Sequence, residues 1–263
     1  MKTIKKGAFV VLCLLLAAVL GLLVTGHLMD MLEEVTFYWF DHTEAELKVK
    51  AYAEEKGIFY SEYPDSLVQL LERNPETETF VLDYPFYEEA EYDLSEYAGS
   101  EAVPLFMQWD QRWGYETYGS DCIGITGCGP TCLAMAGFYL TGDERFNPEE
   151  IAEFAWENGY YEKGYGSSWT LISEGGVKLG LDVTEIPLVK KRMTDNLEVG
   201  NPIILAMGKG DFTSSGHYIV LTGLEDGKFV VNDPNSRENS EKRWSYEELE
   251  HQIRNIWVIR EGA

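Results

Sequence analysis

The distribution of hydrophobic positions divides the chain into three regions of different composition. Residues 7–26, GAFVVLCLLLAAVLGLLVTG, form an apolar run without a charged side chain. Residues 27–100 are rich in Glu, Asp and Tyr, and the stretch 88–104 has the polarity of a linker. Tryptophan and glycine become frequent from about residue 101 onward. The pattern predicts an N-terminal apolar segment (1–26), an acidic extension (27–100) and one well-packed domain over 101–263.

Helix-start signals precede two segments of the extension. Thr43 and Glu46 have the spacing of a capping box, and the helix that follows should end at Gly57. A second helix is predicted within residues 63–75, with a proline near its first turn. By contrast, FVLDYPF at 80–86 is a short apolar run that we interpret as extended chain.

The first half of the predicted domain favours helices. PTCLAMAGFYL, residues 130–140, has the apolar spacing of a buried helix that stops near Gly142. Asn147 is suited to cap a second helix, over 147–159, because a proline follows it and a glutamate stands three positions on. A weaker third helix is predicted over 167–180, where two adjacent glycines reduce the helix propensity.

The second half of the domain favours strands. Runs of β-branched and other apolar residues predict strands at residues 202–207, 217–224, 228–233 and 256–259. The turn Glu225-Asp226-Gly227 joins two of them in a hairpin, and a capped helix is predicted over 245–253. Helices followed by an antiparallel sheet constitute an α+β fold.

The charge balance argues against several classes of function. With 21 basic and 45 acidic side chains the chain has a net charge of −24, and such a surface repels nucleic acid and anionic lipid headgroups. The sequence also lacks the GxxxxGK[ST] loop that binds nucleotide phosphates. We therefore expect neither a nucleic-acid partner nor ATP.

The apolar run 7–26 indicates export. At about 1.5 Å per residue, twenty helical residues span a bilayer core of about 30 Å, and the basic MKTIKK before the run orients its N-terminus inside. The run is long for a signal peptide, which favours an uncleaved signal anchor, although Val24-Thr25-Gly26 is a tolerable cleavage site. We expect a single-pass protein of the cell membrane with an extracellular C-terminal domain, or a secreted domain after cleavage.

Three of the four cysteines lie close together in SDCIGITGCGPTCLAM, residues 120–135. Their spacings of six and four do not match the paired ligands of structural zinc, and no histidine follows within 80 residues, so we expect no metal. A disulfide between Cys122 and Cys132 is open, because exported domains tolerate disulfides. Cys128 and Cys132 are less suited to one, since positions four apart at a helix start rarely meet disulfide geometry.

Cys128 has the surroundings of either a nucleophile or a small buried residue at a turn. Pro130 is placed as an early residue of the following helix, which would put Cys128 at the helix N-terminus. There the helix dipole and the unpaired N–H groups stabilise a thiolate and can receive an oxyanion. Gly127 and Gly129 would leave room for a substrate carbonyl to approach.

Of the four histidines, His217 has the position expected of a general base. His27 and His42 lie upstream of the domain and His251 lies in a charged helix, whereas His217 follows a glycine-containing loop and opens an apolar strand. The predicted hairpin brings Asp233 back beside His217. Its carboxylate would orient the imidazole and stabilise the imidazolium.

Several stretches resemble the peptidase C39-like family of exported bacterial proteins, within the papain-like superfamily. They are PLFMQWDQRWGYETYGSD with GCGPTCLAMAGFYLTGD, then GHYIVLTGLEDGKFVVNDPNS and the tryptophan near 257, with a fainter match upstream in YPDSLVQLLERNPETETFVLDYP. The resemblance covers about residues 101–260 and implies a papain-like fold with Cys128 as nucleophile, His217 as base and Asp233 as third triad member. It also suggests Gln108 as a side-chain donor to the oxyanion, although QWDQRW is equally readable as a packing motif.

Residues and resemblance together predict an exported cysteine peptidase-like enzyme that cleaves or transfers a peptide or isopeptide acyl group without a cofactor. Its expected partners are a peptide or protein substrate and, through the N-terminal segment, the membrane. Two alternatives stay open: a catalytically silent papain-fold surface binding module, and a cell-wall peptide amidase that uses Cys122. DCIG at 121–124 resembles the nucleophile motif of such amidases, but in them the helix starts directly after the cysteine, and here we expect it to start after Cys128.

Overall fold

The computed structural model describes residues 42–88 and 91–262, and the predicted apolar segment 7–26 lies outside these ranges. Within the two ranges, no helix is both long enough and apolar enough to cross a membrane. The chain divides into two compact units, Met1–Glu62 and Tyr63–Ala263. All four residues predicted to form the catalytic site belong to the second unit.

The described part of the first unit is one helix and a 3₁₀ turn. The helix α1 spans Glu44–Lys56, and the 3₁₀ turn spans Tyr60–Glu62. The Thr43 hydroxyl accepts the N–H of Glu46 while the Glu46 carboxylate accepts the N–H of Thr43. Gly57 ends the helix with φ of 72°, a left-handed conformation that glycine adopts without strain. The predicted capping box and helix end are both confirmed.

The second unit begins with two helices and two 3₁₀ turns. In chain order they are α2 Asp65–Arg73, a turn Pro75–Thr77, α3 Glu78–Asp83 and a turn Tyr84–Phe86. The helix predicted within 63–75 is confirmed, but the extended chain predicted at 80–86 is wrong. Periodicity does not separate a strand from a buried helical turn in so short a run. Here the helical form buries Phe80, Val81 and Leu82, and Phe80 stacks on Tyr115 with 4.4 Å between ring centroids.

The middle of the chain is mostly helical. Its elements are α4 Ile123–Thr126, α5 Cys128–Thr141, α6 Pro148–Glu157, a π-helical turn Leu171–Gly175, α7 Gly176–Lys178 and α8 Lys190–Glu198. The predicted buried helix is α5, which ends at Gly142 as expected. Asn147 caps α6 by accepting the N–H of Glu150. The weak third helix is confirmed only from Leu171 onward, and α8 was not predicted.

Among the described residues, ten strands form one large sheet and two small hairpins. The hairpins pair β1 Thr117–Tyr118 with β2 Asp121–Cys122, and β3 Tyr161–Glu162 with β4 Gly166–Ser167. The large sheet contains β5 Leu181–Glu185, β6 Ile203–Met207, β7 His217–Glu225, β8 Lys228–Asn232, β9 Arg243–Trp244 and β10 Ile253–Glu261. Its strands are all antiparallel, in the order β5-β10-β6-β7-β8-β9. The predicted mixture of helices with an antiparallel sheet is confirmed.

Two short helices complete the second unit. They are α9 Arg237–Glu241, between β8 and β9, and α10 Tyr246–Leu249, between β9 and β10. Ser245 and Glu248 form a capping box at α10, so the predicted capped helix is present but shorter than 245–253. The final strand is correspondingly longer than the predicted 256–259.

The large sheet lies between two hydrophobic clusters, because neighbouring residues of its central strands face opposite sides. Ile204 and Val220 pack in the cluster that contains the buried face of α5. Ile203 and Leu205 pack on the other side, with Met193 of α8. All residues of β6 are buried, as expected for a strand covered on both faces. The helix α5 therefore lies directly against β7, the strand that opens with His217.

The β7–β8 hairpin brings Asp233 close to His217. Val220 pairs with Asn232, so the next residue returns to the end of the sheet where β7 begins. The turn uses left-handed conformations at Asp226 and Gly227, with φ of 50° and 75°, which suit a two-residue hairpin turn. The predicted hairpin is confirmed.

The stretch predicted as a linker packs against the domain over its described part. Leu94 and Val103 are buried in the same cluster as α5. The Tyr92 hydroxyl donates to the Glu149 carboxylate of α6 at 3.0 Å. Most of residues 91–104 are exposed, as their polarity predicts, and a few apolar side chains fix the stretch to the domain. The predicted domain boundary near residue 101 stays a prediction.

Candidate active site

Cys128 is the first residue of α5. Gly127 precedes it in the N-cap position, and no side chain of the described chain caps this helix terminus. The thiol therefore lies beside the backbone N–H groups of the first turn, at the positive end of the helix dipole. Cys128 is partly exposed, whereas Cys122 and Cys132 are buried.

The glycines beside Cys128 allow close packing of protein rather than access for a substrate. A Cβ atom at Gly129 would lie 2.6 Å from Oγ of Ser167, and one at Gly127 would lie 2.5 Å from Cγ2 of Ile123. Protein atoms already fill this space, so the prediction that the glycines leave room for a substrate carbonyl is wrong. The missing side chains instead allow α5 to start tightly against β4 and α4.

His217 and Asp233 meet across the hairpin. Nε2 of His217 lies 2.7 Å from Oδ1 of Asp233, and the two side chains are 8% and 1% exposed. So little water remains around them that their electrostatic interaction is only weakly screened. Because Nε2 is engaged with the carboxylate, Nδ1 is the ring nitrogen available to another partner. His217 and Cys128 border the same cleft.

The pKa of His217 reflects its burial and both neighbours. Burial lowers the pKa, but the Asp233 carboxylate and, to a smaller extent, the Cys128 sulfur stabilise the imidazolium. The net effect raises the pKa of His217 from 6.5 to about 10. The raised pKa favours the protonated ring at neutral pH, between the Asp233 carboxylate and the Cys128 sulfur.

Asp233 is held by groups that the sequence pattern did not single out. Its Oδ1 also accepts the N–H of Asn235 at 2.9 Å, and its Oδ2 accepts Nδ2 of Asn239 at 2.8 Å. Its own N–H donates to Oγ of Ser240 at 2.9 Å. The run NDPNSRENS contains many polar side chains. Asn239 and Ser240 are the two whose side chains contact Asp233, because both lie on α9.

Gln108 is buried beside the cleft with part of its amide already engaged. Its Nε2 donates to the carbonyl of Gly124 at 2.8 Å, and its Oε1 has no hydrogen-bond partner within the described residues. One N–H of the amide is left over for an oxyanion, so the proposed role stays a prediction. The packing interpretation also has support, because Trp109 and Trp113 are both buried.

The remaining cysteines of the motif are free thiols, so the disulfide left open between Cys122 and Cys132 is not formed. Burial and the nearby Asp121 raise the pKa of Cys122 to about 12, and burial also raises the pKa of Cys132. A short helix, α4, does start directly after Cys122, contrary to our expectation. A thiol held in its neutral form is nevertheless a poor nucleophile. In the described chain, no group of three or more His, Cys, Asp or Glu side chains is placed to hold a metal ion.

A cleft of about 560 Å³ opens above Cys128 and His217. Its lining includes the loop 210–216 and, from the β3–β4 hairpin, Tyr161 and Tyr165. The end of α2 also borders the cleft through Arg73. The volume lies within the ordinary range of ligand-binding clefts in proteins.

The chain belongs to the Peptidase_C39 like family, whose model matches residues 100–263. The predicted family is thereby confirmed. The peptidase domain of Streptococcus ComA, a bi-functional ABC transporter involved in quorum sensing, is 21% identical; the match covers 52% of this chain and 92% of that one, with a TM-score of 0.40. A protein described as a C39-like peptidase from Bacillus anthracis is 15% identical over 62% and 97% of the two chains, with a TM-score of 0.36. No curated protein matches the chain significantly.

Proposed function

We propose that the protein is a cysteine peptidase that attacks peptide or isopeptide bonds through Cys128, His217 and Asp233. One observation carries the proposal: a buried His217 is paired with Asp233 at 2.7 Å and borders the same cleft as a cysteine at a helix N-terminus. Membership of the peptidase family supports the same conclusion. The acidic surface and the lack of a nucleotide-binding loop are consistent with a function that needs neither nucleic acid nor ATP.

In the first step, the thiol proton resides on Nδ1 of His217 and the Cys128 thiolate attacks the substrate carbonyl carbon. The imidazolium is stabilised by Asp233, so the ion pair persists at neutral pH. The carbonyl electrons move to oxygen, and backbone N–H groups at the start of α5 stabilise the oxyanion, with Gln108 as a further donor. As the tetrahedral intermediate collapses, the C–N bond breaks and His217 delivers its proton to the leaving amine.

In the second step, the neutral His217 takes a proton from water, and the resulting hydroxide attacks the thioester carbonyl. Collapse of this intermediate releases the carboxylic acid product and restores the thiolate–imidazolium pair. An amine in place of water would make the same chemistry an acyl transfer. Hydrolysis and transfer therefore differ only in the acceptor, and a peptide or protein is the proposed substrate in both.

We further propose that the enzyme acts outside the cell, anchored by its N-terminal segment or secreted. The proposal is supported by the uncharged run of residues 7–26 behind a basic N-terminus.

The direct test is a peptide-library digestion with residues 27–263, in which new N-termini are identified by mass spectrometry. Wild-type protein and the Cys122→Ala variant should give the same cleavage products. The Cys128→Ala variant should give none, and His217→Ala should reduce the rate by at least about 10³-fold. Products that persist in Cys128→Ala but vanish in Cys122→Ala would instead support the cell-wall amidase. No products from any variant would favour a binding module.

A further inference from the structure

A segment outside the family match reaches the loop that carries Asp233. The family model begins at residue 100, whereas Asn74-Pro75-Glu76 lies well upstream, between α2 and α3. These residues nevertheless form hydrogen bonds with residues 235–238, about 160 positions later in the chain. The upstream segment is therefore in contact with the residues that follow Asp233, whose conformation no local sequence pattern predicts.

The Glu76 carboxylate is the centre of this contact. Its Oε1 accepts the Ser236 hydroxyl at 2.8 Å and the N–H of Glu238 at 3.3 Å, and its Oε2 accepts the N–H of Arg237 at 2.8 Å. Hydrogen bonds to a charged acceptor are roughly twice as strong as neutral ones. One side chain thus holds three consecutive residues in a fixed conformation.

A second set of bonds converges on Asn235, next to the same loop. Nδ2 of Asn74 and Nε1 of Trp109 both donate to the Asn235 carbonyl, the latter at 3.0 Å. The Arg237 guanidinium lies over the Trp109 ring at 4.3 Å from its centroid. The loop is therefore held from its outer side by the upstream segment and by the start of the family-matched region.

The residues held in this way are the ones that hold Asp233. The Asn235 N–H and the Asn239 side chain donate to the two oxygens of Asp233. The Asn239 N–H in turn donates to the Ser236 hydroxyl, which itself donates to Glu76. A continuous chain of hydrogen bonds therefore runs from Glu76 through Ser236 and Asn239 to Asp233 and His217.

We infer that Glu76 is a positioning residue for the candidate triad: it fixes the 235–239 loop so that Asp233 stays aligned with His217. The inference rests on the proposed function. It adds that α2, α3 and the turn between them are an integral part of the active site. They are then neither a spacer nor a removable pro-segment. Phe80 of α3 supports this from the other side of the site, because its ring contacts the backbone at Gly124, whose carbonyl accepts the Gln108 amide.

The test is the pH dependence of Cys128 alkylation by iodoacetamide in the full chain, with the Glu76→Ala variant compared with the wild type. Loss of alignment weakens the support that Asp233 gives to the imidazolium, so the thiolate forms only at higher pH. We expect the pH midpoint of alkylation to rise by about one unit and the rate at pH 6 to fall about tenfold. The matched control is Glu72→Ala, which removes an exposed carboxylate from α2 and should leave the profile unchanged.

A double-mutant cycle separates positioning from general stability. If Glu76 acts through Asp233, Glu76→Gln shifts the midpoint in the wild-type background but not in an Asp233→Asn background. Glu76→Gln keeps one acceptor oxygen, so it serves also if Glu76→Ala fails to fold. Hydrogen exchange should show the amides of Arg237 and Glu238 less protected in either Glu76 variant.

The outcomes distinguish the two proposals. A wild-type protein in which Cys128 reacts no faster than an ordinary thiol overturns the proposed function, whatever Glu76 does. A reactive wild type with an unchanged midpoint in both folded Glu76 variants overturns the positioning role alone. An equal shift by Glu76→Gln in both backgrounds also overturns it, because the effect would then bypass Asp233.

Discussion

The two sides of the cleft are built by different physical means. Cys128 stands on α5, whose first turns are almost entirely buried and whose start fits closely against Ile123 at Gly127 and against the Ser167 side chain at Gly129. Asp233 stands on a polar loop that is held by hydrogen bonds from Asn235, Asn239 and Ser240. The position of the nucleophile therefore depends on packing, and the position of the triad carboxylate depends on hydrogen bonds.

Substitutions on the two sides should therefore have different effects. Packing defects near Cys128 should lower the stability of the whole unit, because α5 lies in the main hydrophobic cluster. Lost hydrogen bonds near Asp233 should change the chemistry of His217 more than the stability, because they orient the carboxylate that pairs with His217 and remove no side chain from the hydrophobic clusters.

The largest expected effect is that of Cys128→Ala on peptide cleavage. Removal of the nucleophile should reduce the rate by at least about 10³-fold while the fold persists. Cys122→Ala is the matched control on the same side of the cleft: it should keep its activity and lose about 1 kcal/mol of unfolding free energy, because it removes a buried sulfur. Rates and urea unfolding of both variants check this, and equal activity in the two would contradict the assignment.

The next effect concerns the His217–Asp233 pair and the pH dependence of stability. The pKa of His217 is raised from 6.5 to about 10 in the folded protein. Its stabilising contribution is therefore complete below pH 6.5 and is lost as the pH rises through about 10. Unfolding of the proposed ion pair returns a proton to Cys128 until the ordinary thiol pKa of about 8.5 is passed. We therefore expect the free energy of unfolding to fall mainly between about pH 8.5 and pH 10, by on the order of 1 kcal/mol.

Asp233→Asn is the control for this pH effect, because it removes the charge that raises the pKa of His217. Urea unfolding at several pH values should give a shallower decline in the variant than in the wild type. Comparison of the two slopes cancels the contribution of tyrosines and other groups that titrate in the same range. Parallel slopes would show that the pair does not carry the effect.

A smaller effect is expected on the Cys128 side of the cleft, where position depends on packing. Gly129→Ala would place a methyl group 2.6 Å from Oγ of Ser167, so the start of α5 must shift. We expect a loss of about 1–3 kcal/mol of unfolding free energy, together with slower alkylation of Cys128. Gly223→Ala on β7 is the control, since no atom lies within 4 Å of a Cβ there. Similar unfolding midpoints for the two variants would argue against the tight fit.

The smallest effect is expected from Asn239→Ala on the hydrogen-bonding side. The variant removes the donor to Oδ2 of Asp233, which should cost about 1 kcal/mol of stability and lower the cleavage rate roughly tenfold. Asn158→Ala provides a comparison, because that exposed amide donates within its own helix, far along the chain from the triad. If both variants cleave at the wild-type rate, hydrogen bonding around Asp233 has less influence than we propose.

The elements that the sequence predicts well are those with local start and stop signals. Thr43 with Glu46 and Asn147 with Glu150 both form the expected caps, and Gly57 and Gly142 end their helices in the left-handed conformation. The missed helix α8 has none of these signals, because Val189 occupies its N-cap position without a side-chain hydrogen bond. Its existence depends on packing of Met193 and Leu197 against the sheet, which no local pattern records.

The residues of the candidate site also divide into those with a local sequence signal and those without one. Cys128, His217 and Asp233 could be found because a helix start, a strand start and a hairpin each have local signatures. The roles of Asn239 and Glu76 could not, since their contacts depend on the fold of α9 and on chain segments about 160 residues apart. Gln108 lies between these cases: its burial beside the cleft agrees with the prediction, but its bond to Gly124 depends on tertiary structure.

The measurement that tests the central claim most directly is the pH profile of iodoacetamide labelling at each cysteine, in wild-type protein and in His217→Ala. We predict that Cys128 of the wild type labels rapidly well below pH 8, that His217→Ala shifts its labelling toward the ordinary thiol range, and that the buried Cys122 and Cys132 label slowly in both. Labelling of Cys128 that is as slow as that of Cys122, or that is unaffected by loss of His217, would contradict a thiolate–imidazolium pair and with it the proposed enzyme.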